Sequence, residues 1–238
     1  MIEAAEIGAA LARVREQRPR VHCLMNTVAQ KLVADGLSAL GAIPSMTSGA
    51  EEIEAFVGRA DALLVNLGTM QEGQQRVIGT AVELMGDRSR PVVIDPVFCD
   101  VSPLRRDFAL KLIAPAMVVR GNAGEIGALG AIDAVIIQTG KIDQIQHGDR
   151  RYAVANGHHY LPLVSGTGCL SGALIAAFTA VEQDALLAAV AAQALLGIAA
   201  EVAAENSTGP GSFAPALLDA LHSLDNGAIK RRLRVGHG

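Results

Sequence analysis

A chain of 238 residues is long enough to bury a sizeable core, and a half-apolar composition with 25 Gly, no Trp and 3% aromatics points to a layered α/β enzyme built from aliphatic side chains. Twenty basic residues against 24 acidic ones give a net charge of −4, which offers no positive footprint for a nucleic acid partner. Cys23, Cys99 and Cys169 stand far apart without a Cys-x-x-Cys pair, and the amino terminus lacks a signal-like apolar stretch, so disulfides, zinc and secretion are not expected and the chain is placed in the cytoplasm.

Short apolar runs bounded by turn residues recur at 20–24, 42–46, 62–66, 91–95, 116–120 and 134–138, and each reads as a buried strand. Helical spacing fills the intervals at 28–40, 51–59, 71–85 and 104–113. The order is therefore βαβα, with parallel pairing and helices covering both faces of the sheet. After Gln138 the runs 142–147 and 151–154 flank His147-Gly148-Asp149-Arg150 and read as a hairpin.

From Gly168 onward the chain reads as a helical third, in segments 169–181, 184–205 and 212–224. The Ala/Leu stretch from Ala185 to Ala204 is interrupted by Gln193, Gly197 and Glu201, which marks a buried or interface helix rather than a membrane span. No linker divides the chain, so a single domain over 1–238 is expected. The basic end, with Lys230, Arg231, Arg232 and Arg234, reads as a solvated tail.

In an open parallel sheet, ligands bind beyond the carboxyl ends of the strands, where loops lead into helices. Those loops are Met25-Asn26-Thr27, Met46-Thr47-Ser48, Asn66-Leu67-Gly68-Thr69, Asp95-Pro96-Val97 and Gly121-Asn122-Ala123-Gly124-Glu125. Small and polar residues crowd into them, as a concave site with backbone exposed to a ligand requires.

The most informative segment is Ser165-Gly166-Thr167-Gly168-Cys169, two glycines just ahead of an Ala-rich helix. Its plain reading is a tight turn. Its functional reading is a cradle of free N–H groups for an anion, here a phosphoryl group in transfer. At a helix N-terminus the Cys169 thiol is expected to have a lowered pKa, which suits a base or an alcohol-positioning group. Taken alone it also reads as a small core residue.

Asp95 stands at the carboxyl end of Val92-Val93-Ile94, and its alternative is an Asp-Pro turn. Glu125 falls where a helix begins, and its alternative is a helix cap. The combination is what counts: Arg120 for phosphate oxygens, two carboxylates for a hydrated Mg²⁺ and a glycine loop are the parts phosphoryl transfer needs. A Walker motif and a dinucleotide fingerprint are both absent. His158 and His159 read as surface or packing residues rather than metal ligands.

The ordered series Val21-His22-Cys23-Leu24-Met25-Asn26, Gly36-Leu37-Ser38-Ala39-Leu40-Gly41-Ala42, Asn66-Leu67-Gly68-Thr69, Asp95-Pro96-Val97, Arg120-Gly121-Asn122 to Glu125, Asn156-Gly157-His158, Gly166-Thr167-Gly168-Cys169 and Gly209-Pro210-Gly211-Ser212-Phe213 resembles the hydroxyethylthiazole kinase family of the ribokinase-like superfamily, over nearly the whole chain. The resemblance implies a ribokinase-like layered fold and ATP- and Mg²⁺-dependent phosphorylation of 4-methyl-5-(2-hydroxyethyl)thiazole in thiamine salvage. It also implies a homotrimer with sites at subunit boundaries, and no membrane or nucleic acid partner. Carried over by position, Met46 and Gly166 are the thiazole-binding pair, with Asn26 and Gly68 lining that pocket. Arg120 and Thr139 are the ATP contacts, and Asn122, Thr167 and Gly168 complete the nucleotide side. Asp95 and Glu125 are the acidic residues near the metal, and Cys169 occupies the place of a catalytic Asp in ribokinase relatives.

Two departures stand out. Where the family usually continues Asp-Pro-Val with Gly-x-Gly-Ala, this chain has Phe98-Cys99-Asp100-Val101, and only 123–133 are left to cross between two strands. Eleven residues lie at the lower end of about 10–12 for such a crossover. Two other readings fit the same residues: a same-fold kinase for another small heterocyclic alcohol, and a catalytically silent paralogue that binds nucleotide or thiazole.

Overall fold

The structure is a computed structural model that describes residues 2–68, 70, 73–113 and 118–238; Thr69, the first residues of the expected helix 71–85 and the first of the expected strand 116–120 lie outside them. The elements run α1 (Ala4–Gln17), β1 (Arg20–Leu24), α2 (Gln30–Leu40), β2 (Ile43–Ser45), α3 (Ile53–Val57), β3 (Ala62–Asn66), α4 (Gln74–Gly86), β4 (Val92–Asp95) and α5 (Pro103–Leu112). They continue with β5 (Val118–Asn122), α6 (Ala123–Leu129), β6 (Val135–Thr139), β7 (Asp143–His147), β8 (Arg150–Val154), α7 (Thr167–Thr179), α8 (Ala185–Glu205), α9 (Pro210–Ser223), α10 (Asn226–Arg232) and β9 (Val235–His237).

The strands form one nine-stranded sheet in the order β2-β1-β3-β4-β5-β6-β7-β8-β9, parallel through β6 and antiparallel beyond it. The central strands are continuous apolar runs because both faces are covered. In β3, Leu64 joins the cluster under one helical layer while Leu63 and Val65 join the cluster under the other, as the period of two dictates. The larger cluster takes in α1, α2, α7, α8 and α9; the smaller lies under α3, α4, α5 and α6.

Helix α8 is long and apolar enough to cross a membrane by length and composition, but 78% of its most apolar window is buried inside the fold. The side chain of Asp184 caps it by accepting the amide of Leu186 at 3.1 Å. Its Ala-rich surface lets the chain at Asn156 approach so closely that a Cβ on Gly197 would lie 2.5 Å from that backbone.

Four expectations need correction. The strand 42–46 is not a buried one: β2 is an edge strand with Ile43 exposed. Strand β5 runs two residues further, to Asn122, so Arg120 lies inside it. Helix α1 was not anticipated, although Ile7, Leu11 and Val14 face the core at helical spacing. The basic end is no solvated tail: it forms α10 and β9, with Arg232 paired to Glu205 at 2.9 Å and Arg234 to Glu201 at 2.5 Å. The short crossover 123–133 holds the two-turn helix α6 and keeps β5 and β6 parallel.

Candidate active site

The chain leaves β1 for the edge strand β2 and returns on the other side of β1 as β3, so a crevice opens where the strand order reverses. Asn26, just past β1, and Asn66, the last residue of β3, reach across it: Asn26 Nδ2 donates to Asn66 Oδ1 at 3.1 Å. Asn66 is 3% exposed and uses all its hydrogen-bonding capacity. Its Oδ1 also accepts the Gly68 amide at 3.1 Å, and its Nδ2 donates to Asp95 Oδ2 at 2.9 Å and towards Cys169 Sγ at 3.3 Å. That set of partners permits a single amide orientation.

Asp95 ends β4, paired in register with Asn66, and is 1% exposed. Arg120 Nη1 donates to Asp95 Oδ2 at 3.3 Å from the neighbouring strand. Asp95 Oδ1 and Arg120 Nε are buried and have no partner among the described residues. A carboxylate oxygen and a guanidinium N–H are thus left unspent on two side chains that are bonded to each other, an arrangement that a phosphate with its counter-ion would complete. Burial pushes the Asp95 carboxyl up to about 6; the Glu125 charge adds to this, while Arg120 and Asn66 oppose it.

Cys169 is the third residue of α7, and its sulfur accepts from both Asn66 and, at 3.5 Å, Asn26 Nδ2. The expected lowering of its pKa is overturned. Burial, followed by the Asp95 charge, pushes the thiol up and outweighs the opposing asparagine bonds and Arg120. The thiol is therefore protonated at neutral pH, with its own hydrogen available to a substrate oxygen. Burial of the sulfur is the strongest influence, and the Asp95 carboxylate across the crevice adds to it.

The glycine loop adopts the form its sequence suggests. Gly166 has φ +94°, and a Cβ there would lie 2.9 Å from the Cβ of Ala29, so only glycine seats α7 against the start of α2. Gly168 faces Arg120: a Cβ would stand 3.2 Å from its Nη1. Glu125 is a helix cap, with Oε2 accepting the Asn122 amide and Oε1 the Phe98 amide, both at 2.8 Å, while Asn122 Oδ1 accepts the Glu125 amide at 3.0 Å. Phe98 holds φ +59° to deliver its amide, a conformation that a glycine adopts without strain.

Beyond Arg120 opens a cavity of about 750 Å³, lined by Arg120, Thr139, Thr167 and Gly168 together with residues of the β6–β7 turn and the segment 155–159. Four of the five residues expected on the nucleotide side meet there. Asn122 does not line it, since its side chain caps α6. Of the thiazole-side set, Asn26 and Gly68 join the crevice, Gly166 abuts α2, and Met46 follows the edge strand, partly buried against the larger core cluster. His158 meets Tyr160 edge-on and His159 meets it at a tilt, while His158 stacks on Phe213 and Tyr160 meets Phe213 edge-on; both histidines line the cavity, which their surface or packing reading did not foresee. Asn66, Asp143 and Gln193 were given no role in the sequence reading. The available signal was a polar residue ending or interrupting an otherwise apolar run.

Among the described residues no group of three or more His, Cys, Asp and Glu gathers to hold a metal ion. Mg²⁺ asks for less, one or two carboxylates with phosphate oxygens and water supplying the rest. The unpartnered Asp95 Oδ1 fits that role. Glu125, with an amide on each oxygen, fits as a partner to a metal-bound water.

The family model described as the hydroxyethylthiazole kinase family matches residues 11–134 and 130–227. A probable hydroxyethylthiazole kinase of Agrobacterium fabrum is 50% identical over 98% of this chain and 96% of its own length. The Pyrococcus furiosus hydroxyethylthiazole kinase is 36% identical over 96% and 97%. The solved structure of the Pyrococcus horikoshii hydroxyethylthiazole kinase protein superimposes with a TM-score of 0.94 at 36% identity, covering 98% of each chain. An ADP complex of Bacillus subtilis pyridoxal kinase, 16% identical, shares the fold with a TM-score of 0.60 over 77% of this chain and 91% of that one.

Proposed function

The chain belongs to the hydroxyethylthiazole kinase family, phosphotransferases with an alcohol acceptor, and from that premise we propose how its residues divide the work of moving the γ-phosphate of ATP to the primary alcohol of 4-methyl-5-(2-hydroxyethyl)thiazole in thiamine salvage. The observation that carries the reading is the unspent pair, Asp95 Oδ1 and Arg120 Nε, where the crevice of Asn26, Asn66 and Cys169 meets the cavity. Phosphoryl transfer has little covalent chemistry for a protein to do, so placement and charge stabilisation dominate.

Arg120, Thr139, Thr167 and Gly168 take the nucleotide in the large cavity, with the guanidinium reaching the phosphates. Asp95, through its unpartnered Oδ1, and Glu125 would hold Mg²⁺, which when bound would supply positive charge to the transferring phosphate. Asn26, Gly68, Met46 and Gly166 line the thiazole pocket. The protonated Cys169, its sulfur fixed by two asparagine amides, orients the attacking hydroxyl rather than removing its proton. The Gly168 amide stabilises the phosphoryl group in transfer, the Thr167 amide being bonded to the Val164 carbonyl.

The same reading takes residues 1–238 as a single domain, because one sheet runs through them. It takes the assembly as a homotrimer with sites at subunit boundaries. Val28 and Leu163, 72% and 59% exposed, flank the Asn26 and Gly166 loops, which supports a covering neighbour there; sedimentation as a trimer rather than a 24.6 kDa monomer checks it. The free thiols favour the cytoplasm. The decisive assay is coupled ADP release with ATP and Mg²⁺ across thiazole, pyrimidine and pyridine alcohols. Turnover greatest with the hydroxyethylthiazole is expected; preference for another alcohol, or none with any, refutes this assignment.

A further inference from the structure

Helix α8 carries one polar side chain where every neighbour in its middle is apolar. Gln193 is 4% exposed, and both ends of its amide are in use. Its Oε1 accepts from Ser171 Oγ of α7 at 2.6 Å, and its Nε2 donates to Asp143 Oδ2, at the start of β7, at 2.6 Å. The other oxygen of Asp143 accepts the amide of Gly140 at 2.9 Å. The relay therefore runs from Ser171 through Gln193 and Asp143 to the turn that follows Thr139. Ser171, Gln193, Asp143, Gly140, Thr139 and Arg120 all line the large cavity.

The chemistry of the relay is directional. The Ser171 hydroxyl has one proton to give, an amide is the neutral group that accepts at one atom and donates at the other, and an ionised carboxylate only accepts. An aliphatic side chain at 193 would leave the buried Ser171 hydroxyl and Oδ2 of the half-buried Asp143 without their partner. Asp143 also lies within electrostatic range of Arg120, whose charge lowers the Asp143 pKa against the larger effect of burial. Arg120 thus has two carboxylate neighbours. One is Asp95, hydrogen-bonded to it, and the other is Asp143, with both oxygens tied elsewhere.

We propose that Gln193 is a positioning residue for the nucleotide: it locks the Asp143 carboxylate onto the Gly140 turn, which sets the Thr139 wall of the cavity and keeps Arg120 free for phosphate. The proposal rests on the cavity being the ATP site. It assigns Gln193 and Asp143 no contact with the reacting atoms. Untied, Asp143 is free to turn towards Arg120 and compete with the triphosphate for it.

The test exchanges the two ends of the relay. Gln193→Glu sets two carboxylates against each other; Asp143→Asn sets two amides together; the double variant restores one donor facing one acceptor, with Ser171 still donating to residue 193 and the Gly140 amide still met by an oxygen. ATP binding is measured by equilibrium titration, alongside KM for ATP, KM for the alcohol, kcat and the melting temperature. Gln193→Glu, which unties Asp143 and adds a second charge, is expected to weaken ATP binding and raise its KM roughly tenfold, equivalent to about 1.4 kcal/mol, and Asp143→Asn, which loosens the turn but removes the competing charge, roughly fivefold, with the alcohol KM within about twofold. The double variant should return to within about threefold of the parent. Should a single variant fail to fold, Ser171→Ala reads the same tie, with a roughly threefold loss of ATP affinity expected.

Single variants or Ser171→Ala that bind ATP like the parent while melting lower would make the relay purely structural and overturn the proposal, as would a double variant no better than the singles. A parent protein that does not bind ATP at all would instead remove the reading on which the proposal stands.

Discussion

The parallel half of the sheet and its antiparallel extension are continuous with one another and hold their functional groups in different ways. At the carboxyl ends of β1, β3, β4 and β5 the groups hold one another: Asn26, Asn66, Asp95, Arg120 and Cys169 form one hydrogen-bonded chain with a free carboxylate oxygen at its heart. In the extension the groups are held by helix α8 and the carboxyl-terminal segment. Gln193 of α8 fixes Asp143, and Asn156 is tied to Glu201 at 3.0 Å, to the Arg232 carbonyl at 2.7 Å and to the Arg234 amide at 2.8 Å. The contrast teaches a division of labour. On the proposed function the strand ends set the reacting centre, while helix α8 and the carboxyl-terminal strand brace the wall proposed to hold the nucleotide.

The comparison is broken most sharply at Asp95. Asp95→Asn keeps the shape of the buried group but removes the charge, and kcat is expected to fall roughly 10²–10³-fold, as for loss of one preorganised electrostatic group. Steady-state kinetics at saturating ATP and alcohol measure this. A fall below tenfold would move the reacting centre elsewhere.

The same carboxyl gives a signed pH effect. Its folded pKa, about 6, exceeds the ordinary 3.8, so between those values the folded protein binds the proton more tightly than the unfolded chain. The stability contribution is fully present below pH 3.8 and is lost as pH rises through about 6, a change on the order of 3 kcal/mol for this 1%-exposed group. Metal-free melts of the parent and Asp95→Asn should therefore shift in favour of the variant as pH rises across this window. A pH-independent difference would contradict the assignment.

Cys169→Ala should lower kcat by roughly tenfold and leave alcohol affinity nearly unchanged, less than the 10²–10⁴-fold typical of losing a general base, because a protonated thiol only orients the hydroxyl. A loss of 10³-fold or more would restore the thiol as base; unchanged turnover would remove it from the mechanism. Phe98→Gly carries the smallest effect. It relieves a left-handed backbone worth about 1–2 kcal/mol and gives up about 0.4–1 kcal/mol of unfolded-state entropy, so the melting temperature should rise slightly. A clear fall would show that the ring, 5.9 Å from the Arg105 guanidinium, contributes more than its 59% exposure implies.

The two regions also differ in how legible they were. The parallel strands, their loops and the meeting of Asn26, Gly68, Asp95, Arg120 and Cys169 could be read because apolar runs mark buried strands and parallel order places their carboxyl ends together. The antiparallel side depends on single polar side chains of α8 and of the basic end, which stand in no strand-end loop. Gln193 registered only as a break in an apolar stretch, although a lone amide inside a buried helix signals a tie across the core. The basic end was read from local charge, whereas Arg232 and Arg234 find Glu205 and Glu201 on α8. The Cys169 pKa failed because the fold buries the thiol, an effect to which the Asp95 charge adds.

Equilibrium titration of the metal-free protein with ATP, on Asn156→Ala and Asp95→Asn in parallel, tests the division of labour most directly. The account predicts roughly tenfold weaker binding for Asn156→Ala, whose loss releases the braced wall, and binding within about threefold of the parent for Asp95→Asn. If Asp95→Asn abolishes ATP binding while Asn156→Ala leaves it intact, the two halves do not divide the work as described.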